Sequence, residues 1–257
     1  MGDVRIRVAG GPTAILEIGG LRLVTDPTFD APGTYPLGDG SVLTKTAPAA
    51  FGPAAIGPAD AVLLSHDQHA DNLDDSGRAY LRQVPRTITT SSAAARLAAD
   101  LGDAVTGLAP WESVPVGDLV VTAVPARHGP AGCEPVMGEV TGFVLTGDGV
   151  PSVYLSGDNA WLGAVENVAA RFGPVGIAIL FAGAASAPAR FDGALLTIDS
   201  AQAATAARLL GAGTVVPVHY NSWAHLHEGA DSLRAAFDAL GLGGRLVLLA
   251  PGEEAVI

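Results

Sequence analysis

The stretch Ala61-Val62-Leu63-Leu64-Ser65-His66-Asp67-Gln68-His69-Ala70-Asp71-Asn72 constrains this chain more than any other. Four apolar residues read as a buried strand, which stops at a loop holding two histidines and two aspartates. Imidazole and carboxylate groups are the ordinary ligands of Zn²⁺, Mn²⁺ and Fe, and a loop at a strand end lets a scaffold aim them inward. Three further apolar runs end in the same way, at His128, Asp158 and His219. Strand ends on one sheet edge converge, so His66, His69, Asp71, His128, Asp158 and His219 are expected to meet in one cleft. A dinuclear metal site is the leading reading.

The 257 residues show no Gly/Ser tract, charge block or internal repeat, and a single domain spanning 1–257 is expected. A chain this long buries enough surface to need no disulfide, in keeping with its one cysteine, Cys133. The first residues lack the pattern of a signal peptide, and no run reaches transmembrane length. A cytoplasmic protein is expected, without stable membrane association and with homo-oligomerisation left open. The formal charge of −12 argues against nucleic acid and leaves a small molecule as the expected partner.

The N-terminal third reads as strands at Val4–Val8, Ala14–Ile18 and Leu21–Thr25, with Gly19-Gly20 turning between the last two. Thr28–Pro58 is a Pro- and Gly-rich segment of little periodicity, read as a flap over the site. Helices are expected at Asp74–Gln83, Ser91–Leu101 (capped by Ser91 or Ser92), Trp161–Phe172, Ser200–Leu210 and Ser232–Leu240. Between them lie strands Leu119–Val124, Val140–Leu145, Val153–Leu155, Val175–Phe181, Thr214–Val218 and, last, Arg245–Leu249. No Gly-x-Ser-x-Gly elbow or P-loop is present.

The ordered set His66…His69-Ala70-Asp71, His128, Ser156-Gly157-Asp158 and His219 resembles the metallo-β-lactamase fold hydrolases. Thr25-Asp26-Pro27, Ser65-His66-Asp67, Ala126-Arg127-His128-Gly129 and His219-Tyr220-Asn221-Ser222-Trp223-Ala224-His225 are similar to one branch. That branch holds ascorbate-6-phosphate lactonase and N-acylphosphatidylethanolamine phospholipase D. The resemblance implies an α/β fold, an αββα sandwich of two mixed sheets flanked by helices. It also implies a metal-dependent hydrolase using a metal-bound hydroxide on a lactone, ester, amide or phosphodiester. One or two divalent ions are implied, Zn²⁺ or Mn²⁺ first and Fe as a further option.

The chain departs from the family motif His-x-His-x-Asp-His at one point. Aligned from the left, Gln68 replaces the second histidine; aligned from the right, Asn72 replaces the last. On the resemblance, His66, His69 and His128 hold one ion. Asp71, Asp158 as a bridge, and His219 hold the other, with the Asn72 amide as an extra ligand. Asp71 and Asp158 act at the reacting centre, and His225 donates a proton to the leaving group. Arg127, Trp161, Phe181 and Trp223 are expected to line the substrate pocket, and Asp26 to orient a histidine. The missing imidazole motivates an alternative: a metal-poor, non-hydrolytic member that binds a ligand or catalyses a rearrangement.

Overall fold

A computed structural model describes residues 2–38, 40–187 and 190–257. Its strands are β1 (Arg5–Gly10), β2 (Thr13–Ile18), β3 (Leu21–Thr25), β4 (Gly33–Pro36), β5 (Val42–Lys45), β6 (Ala61–Leu63), β7 (Thr87–Thr90) and β8 (Val105–Leu108), followed by β9 (Ser113–Val116), β10 (Leu119–Pro125), β11 (Thr141–Gly147), β12 (Val153–Leu155), β13 (Ile177–Phe181), β14 (Thr214–Val218) and β15 (Glu254–Val256). The helices are α1 (Pro53–Ile56), α2 (Asp75–Leu81), α3 (Ser91–Leu101), α4 (Glu134–Met137), α5 (Leu162–Phe172), α6 (Ser200–Leu209) and α7 (Ala230–Ala239).

One sheet has the order β15-β1-β2-β3-β6-β7-β8 and the other β14-β13-β12-β11-β10-β9. Each begins antiparallel and turns parallel where helices make the crossovers, as at β3–β6–β7 and β12–β13–β14. Strands buried on both faces separate their side chains by parity. In β13, Ile177, Ile179 and Phe181 point into the layer between the sheets, where they join Leu16, Leu23 and Leu63 of the other sheet. Ala178 and Leu180 point the other way, against Val165 of α5, the alanines of α6 and Phe237 of α7. On the far side of the molecule Val24, Val62 and Leu64 pack against Tyr80 and Leu81 of α2 and Leu97 of α3. The layering is therefore helix, sheet, sheet, helix. Each of these large apolar side chains contributes about 1.5–3 kcal/mol by leaving water.

Several elements differ from the sequence reading. The Thr28–Pro58 segment is structured: β4 and β5 form a two-stranded hairpin and α1 follows. β7, β8 and β9 carry no strand signal in that reading, since Thr87-Ile88-Thr89-Thr90 is buried throughout and does not alternate. The cap of α3 is Thr90, whose Oγ1 accepts from the Ala93 N–H at 3.1 Å. The expected final strand at Arg245–Leu249 is instead a single bridge, Leu246 to Val215, supported by Val247 N–H donating to Val215 O. Pro217, two residues on in β14, has no N–H with which to continue that ladder. The last strand is β15, paired with β1.

Candidate metal centre

Two strand ends deliver the first group of ligands. After β6 the chain turns at Ser65, whose N–H donates to Asp26 Oδ1 at 2.6 Å. Asp26 itself holds a left-handed φ of 28°, a costly geometry that a packed site can enforce. Its hydrogen bond fixes the loop carrying His66 rather than a histidine ring, which corrects the expectation for this residue. Burial pushes the Asp26 carboxyl well above the usual range, against the pull of the Ser65 amide.

His66 Nε2 then lies 2.9 Å from His69 Nδ1, and His128, after β10, joins them. The three ligand nitrogens fall within 4.8 Å of one another. All three rings are buried. Burial holds His66 well below the ordinary imidazole range, with His69 and His128 adding to the effect. It brings His69 and His128 down to about 4, against the Leu196 carbonyl in the case of His128. Neutral imidazoles with lone pairs facing a common point are metal ligands in waiting. His128 Nδ1 donates to Leu196 O at 2.8 Å, which leaves Nε2 as its free lone pair. Ser65 Oγ sits 2.9 Å from His66 Nδ1 and steers that ring.

A second group gathers around Asp71. His219, after β14, places Nε2 3.4 Å from Asp71 Oδ2, and His225 Nε2 is 3.0 Å from the same oxygen. These three ligand atoms also lie within 4.8 Å of one another. His219 has φ 53°, and its N–H donates to Gly11 O at 2.7 Å, so the strand end is bent to aim the ring. Burial opposes charge on His219, but Asp158 and Asp71 outweigh it and raise its proton affinity. Asp71 is also penalised by burial, yet its bonds to His219 and His225 hold it well below the usual carboxylate range.

Asp158 stands between the two groups. Its Oδ2 is 3.4 Å from His128 Nε2 and its Oδ1 is 3.6 Å from His219 Nε2. Both oxygens are buried with no hydrogen-bond partner among the described residues, and burial raises the group's proton affinity. Gly157 before it needs φ 58°, and a Cβ there would meet Thr141 O at 2.5 Å. Two buried, unpartnered carboxylate oxygens facing two sets of nitrogens fit residues that would hold divalent metal. Isolated, they would be strongly unfavourable.

The ambiguity in the motif resolves at Gln68, which is exposed and folds over Gly138. Position 69 therefore supplies the inward imidazole, and one residue is inserted after His66. Asn72 is fully buried beside Asp158, with neither amide atom hydrogen-bonded among the described residues. The geometry groups His225 with Asp71 and His219, where the sequence reading had it only as a proton donor.

Over these groups opens a cleft. Its wall corrects the pocket expected from sequence. Leu37, Ser41, Val42 and Leu43 come from the β4–β5 hairpin, and Met137, Ala187, Arg190 and Leu196 from the other side. None of Arg127, Trp161, Phe181 or Trp223 lines it. The Arg127 guanidinium stacks 4.8 Å from the Trp161 ring, and its Nε donates to Gly129 O. Phe181 is drawn into the inter-sheet core beneath His219, their rings 5.6 Å apart. Trp223 is buried behind His225, against Tyr35 and Lys45. The large apolar surfaces of Phe181 and Trp223 went to packing.

Comparison with known proteins agrees with this architecture. Residues 21–220 match the family model described as the β-lactamase superfamily domain. A UPF0173 metal-dependent hydrolase of Methanosphaerula palustris is 32% identical over 184 residues, covering 70% of this chain and 76% of that protein. Another, from Thermococcus onnurineus, is 25% identical over 97% of this chain and 98% of its own. Among solved structures, isothiocyanate hydrolase from Delia radicum gut bacteria superposes with TM-score 0.84 at 20% identity, over 98% of both chains. A metallo hydrolase from Ignicoccus hospitalis superposes with TM-score 0.73 at 20% identity, over 100% of this chain and 99% of that one. With its helix–sheet–sheet–helix layering and its strand-end histidines and aspartates, this chain belongs to the metal-dependent hydrolases of the β-lactamase superfamily.

Proposed function

We propose that the protein hydrolyses a lactone, ester, amide or phosphodiester bond in a small molecule bearing an apolar arm, with divalent metal that His66, His69 and His128, Asp71 and His219, and Asp158 between them would hold. The position of Asp158 between the two groups carries this reading, with one carboxylate oxygen toward His128 and the other toward His219. A bound ion pair supplies an activated water at neutral pH and polarises the electrophile. The chain's own groups do the rest. The Leu196 carbonyl locks the His128 tautomer, and Ser65 orients His66. His219 and His225 hold Asp71 ionised in a buried setting.

Leu37, Val42, Leu43, Met137 and Leu196 shed water around an apolar arm, while Arg190 adds a positive charge to the same wall. An acyl or alkyl substrate matches that lining. Among the described residues no helix is long and apolar enough to cross a membrane.

The test is a panel of lactones, esters, amides, phosphodiesters and an alkyl isothiocyanate, assayed with Zn²⁺- or Mn²⁺-loaded protein. His128→Ala and Asp158→Ala should each lower turnover at least about a hundredfold while the fold persists. Full turnover in both variants would overturn the mechanism.

A second reading has one observation in its favour. Asn72 replaces a family histidine, and the fold hosts other chemistry: a diiron β-hydroxylase from Streptomyces venezuelae superposes with TM-score 0.71 at 20% identity, over 99% of this chain and 54% of that one. A non-hydrolytic protein would take up a ligand in the cleft and leave every member of the panel intact.

A further inference from the structure

We propose that His225 is a metal ligand, supplying to the second ion the imidazole that position 72 no longer offers. The inference deepens the metal-dependent reading above and rests on it.

The motif after β6 leaves the second group one nitrogen short, because Asn72 stands where the family pattern has histidine. Gln68 does not fill the gap, since it is exposed and faces Gly138. The nitrogen comes instead from more than 150 residues along the chain. His225 Nε2 lies 3.0 Å from Asp71 Oδ2, and its Nδ1 is buried with no hydrogen-bond partner among the described residues. The His225 and His219 rings are 6.2 Å apart, both turned to the same carboxylate. A surface histidine serving only as a proton donor has no need of that convergence.

The loop bearing His225 is built to hold it there. Ala224 N–H donates to Thr44 O at 2.9 Å, Thr46 N–H donates to Ser222 O at 2.8 Å, and Lys45 bridges Trp223. Ser186 N–H donates to the His225 carbonyl at 3.3 Å. Strand β5 of the hairpin thus fixes the backbone on both sides of Trp223, and the ring that follows is aimed at Asp71. The ligand has moved from the motif to a loop clamped by the flap. Side-chain nitrogen replaces side-chain nitrogen, so the second ion keeps an imidazole-rich environment that an Asn72 amide would not give.

Metal uptake tests this independently of turnover. The metal-stripped wild type, His225→Ala, and His225→Ala combined with Asn72→His are titrated calorimetrically with Zn²⁺ and with Mn²⁺, and bound metal is counted by elemental mass spectrometry. Circular dichroism checks the fold of each. The wild type should take two ions. His225→Ala should keep one tightly and bind the second at least about a hundredfold more weakly, since even partners outside the ligand set are worth ten to a hundredfold. Adding Asn72→His should restore the second ion by returning an imidazole to its usual place. If the double variant does not fold, the single variant decides alone.

A His225→Ala protein that binds both ions as the wild type does overturns the proposal, whether or not turnover falls; loss of turnover alone assigns His225 to proton transfer. A wild type that takes one ion supports the proposal if His225→Ala loses it and overturns it if that ion stays. A wild type that takes none overturns the metal-dependent reading itself, and this proposal with it.

Discussion

Ser65 Oγ, 2.9 Å from His66 Nδ1, is the smallest group on which the site depends. Removing it leaves the Ser65 N–H to Asp26 intact, so the loop holds while the ring loses its guide. Ser65→Ala should weaken the ion at His66, His69 and His128 by about ten to a hundredfold, measured by competition with a chromophoric chelator. Unchanged affinity would show that packing alone orients the ring. The two ligand groups should also part company with pH. His69 and His128 take up protons only near pH 4, so mild acid leaves their lone pairs available. Asp158 and Asp71 raise His219 above the ordinary value, so in the metal-free protein it holds its proton more tightly, and a cation must displace that proton. Affinity at the Asp71 group therefore rises with pH, and acidification expels that ion first. Equilibrium dialysis at about pH 5.5 should retain the ion on the three histidines and lose the other, and the reverse order would contradict the assignment. Much of this was legible in the sequence, because His66, His128, Asp158 and His219 each announce themselves at the end of an apolar run. The partnership of His225 with Asp71 was not, since no spacing rule joins residues brought together by a distant loop.

At the scale of elements, the β4–β5 hairpin is tied to the body by Lys45 and Asp74, whose charged atoms are 3.0 Å apart and almost fully buried. Asp74 also caps α2 through Gly77 N–H and accepts from Asp30 N–H. Lys45→Met would leave a carboxylate buried without its cation, at a cost of about 3–5 kcal/mol. Combining it with Asp74→Asn should recover part of that loss, because the amide oxygen can still cap the helix and carries no charge, while the amide nitrogen faces the Asp30 N–H in place of an acceptor. Urea unfolding of the two variants checks both steps; an equally unstable double variant would place the cost in lost packing rather than in charge. Because the Lys45 ammonium also lies 5.5 Å from the centre of the Trp223 ring, the single variant should loosen the loop that holds His225. Elements with strong periodicity, such as β3, α3 and β12, were readable almost to the residue. Those shaped by neighbours were not. Thr87–Thr90 is a strand because it is sandwiched between β6 and β8, and Arg245–Leu249 fails to be one because Pro217 gives it nothing to pair with. The cleft wall was opaque for the same reason, since it is assembled from the hairpin and from residues near Met137 and Leu196 that meet only in the folded chain.

For the whole molecule, the decisive fact is how the ligands divide between the sheets. His66, His69 and Asp71 follow β6 in one sheet, while His128, Asp158 and His219 follow β10, β12 and β14 in the other. Each group therefore draws nitrogen or oxygen from both sides of the sandwich, and a bound ion ties the two sheets together at one edge. An unfolded chain offers no such convergence, so binding free energy adds to stability. At a free metal concentration a hundred times the dissociation constant, each site contributes about 2.7 kcal/mol. Two sites give roughly 5 kcal/mol, which for a chain of this size corresponds to about 10–20 °C in Tm. Scanning calorimetry before and after chelation should show that fall, with a single transition in both states because the sheets share one inner core. His66→Ala and His128→Ala remove ligands of the same ion from opposite sheets, and should therefore abolish the same part of the metal-dependent shift. A shift that survived one of them intact would mean that the ion is held by a single sheet, and the sandwich edge would then be no bridge.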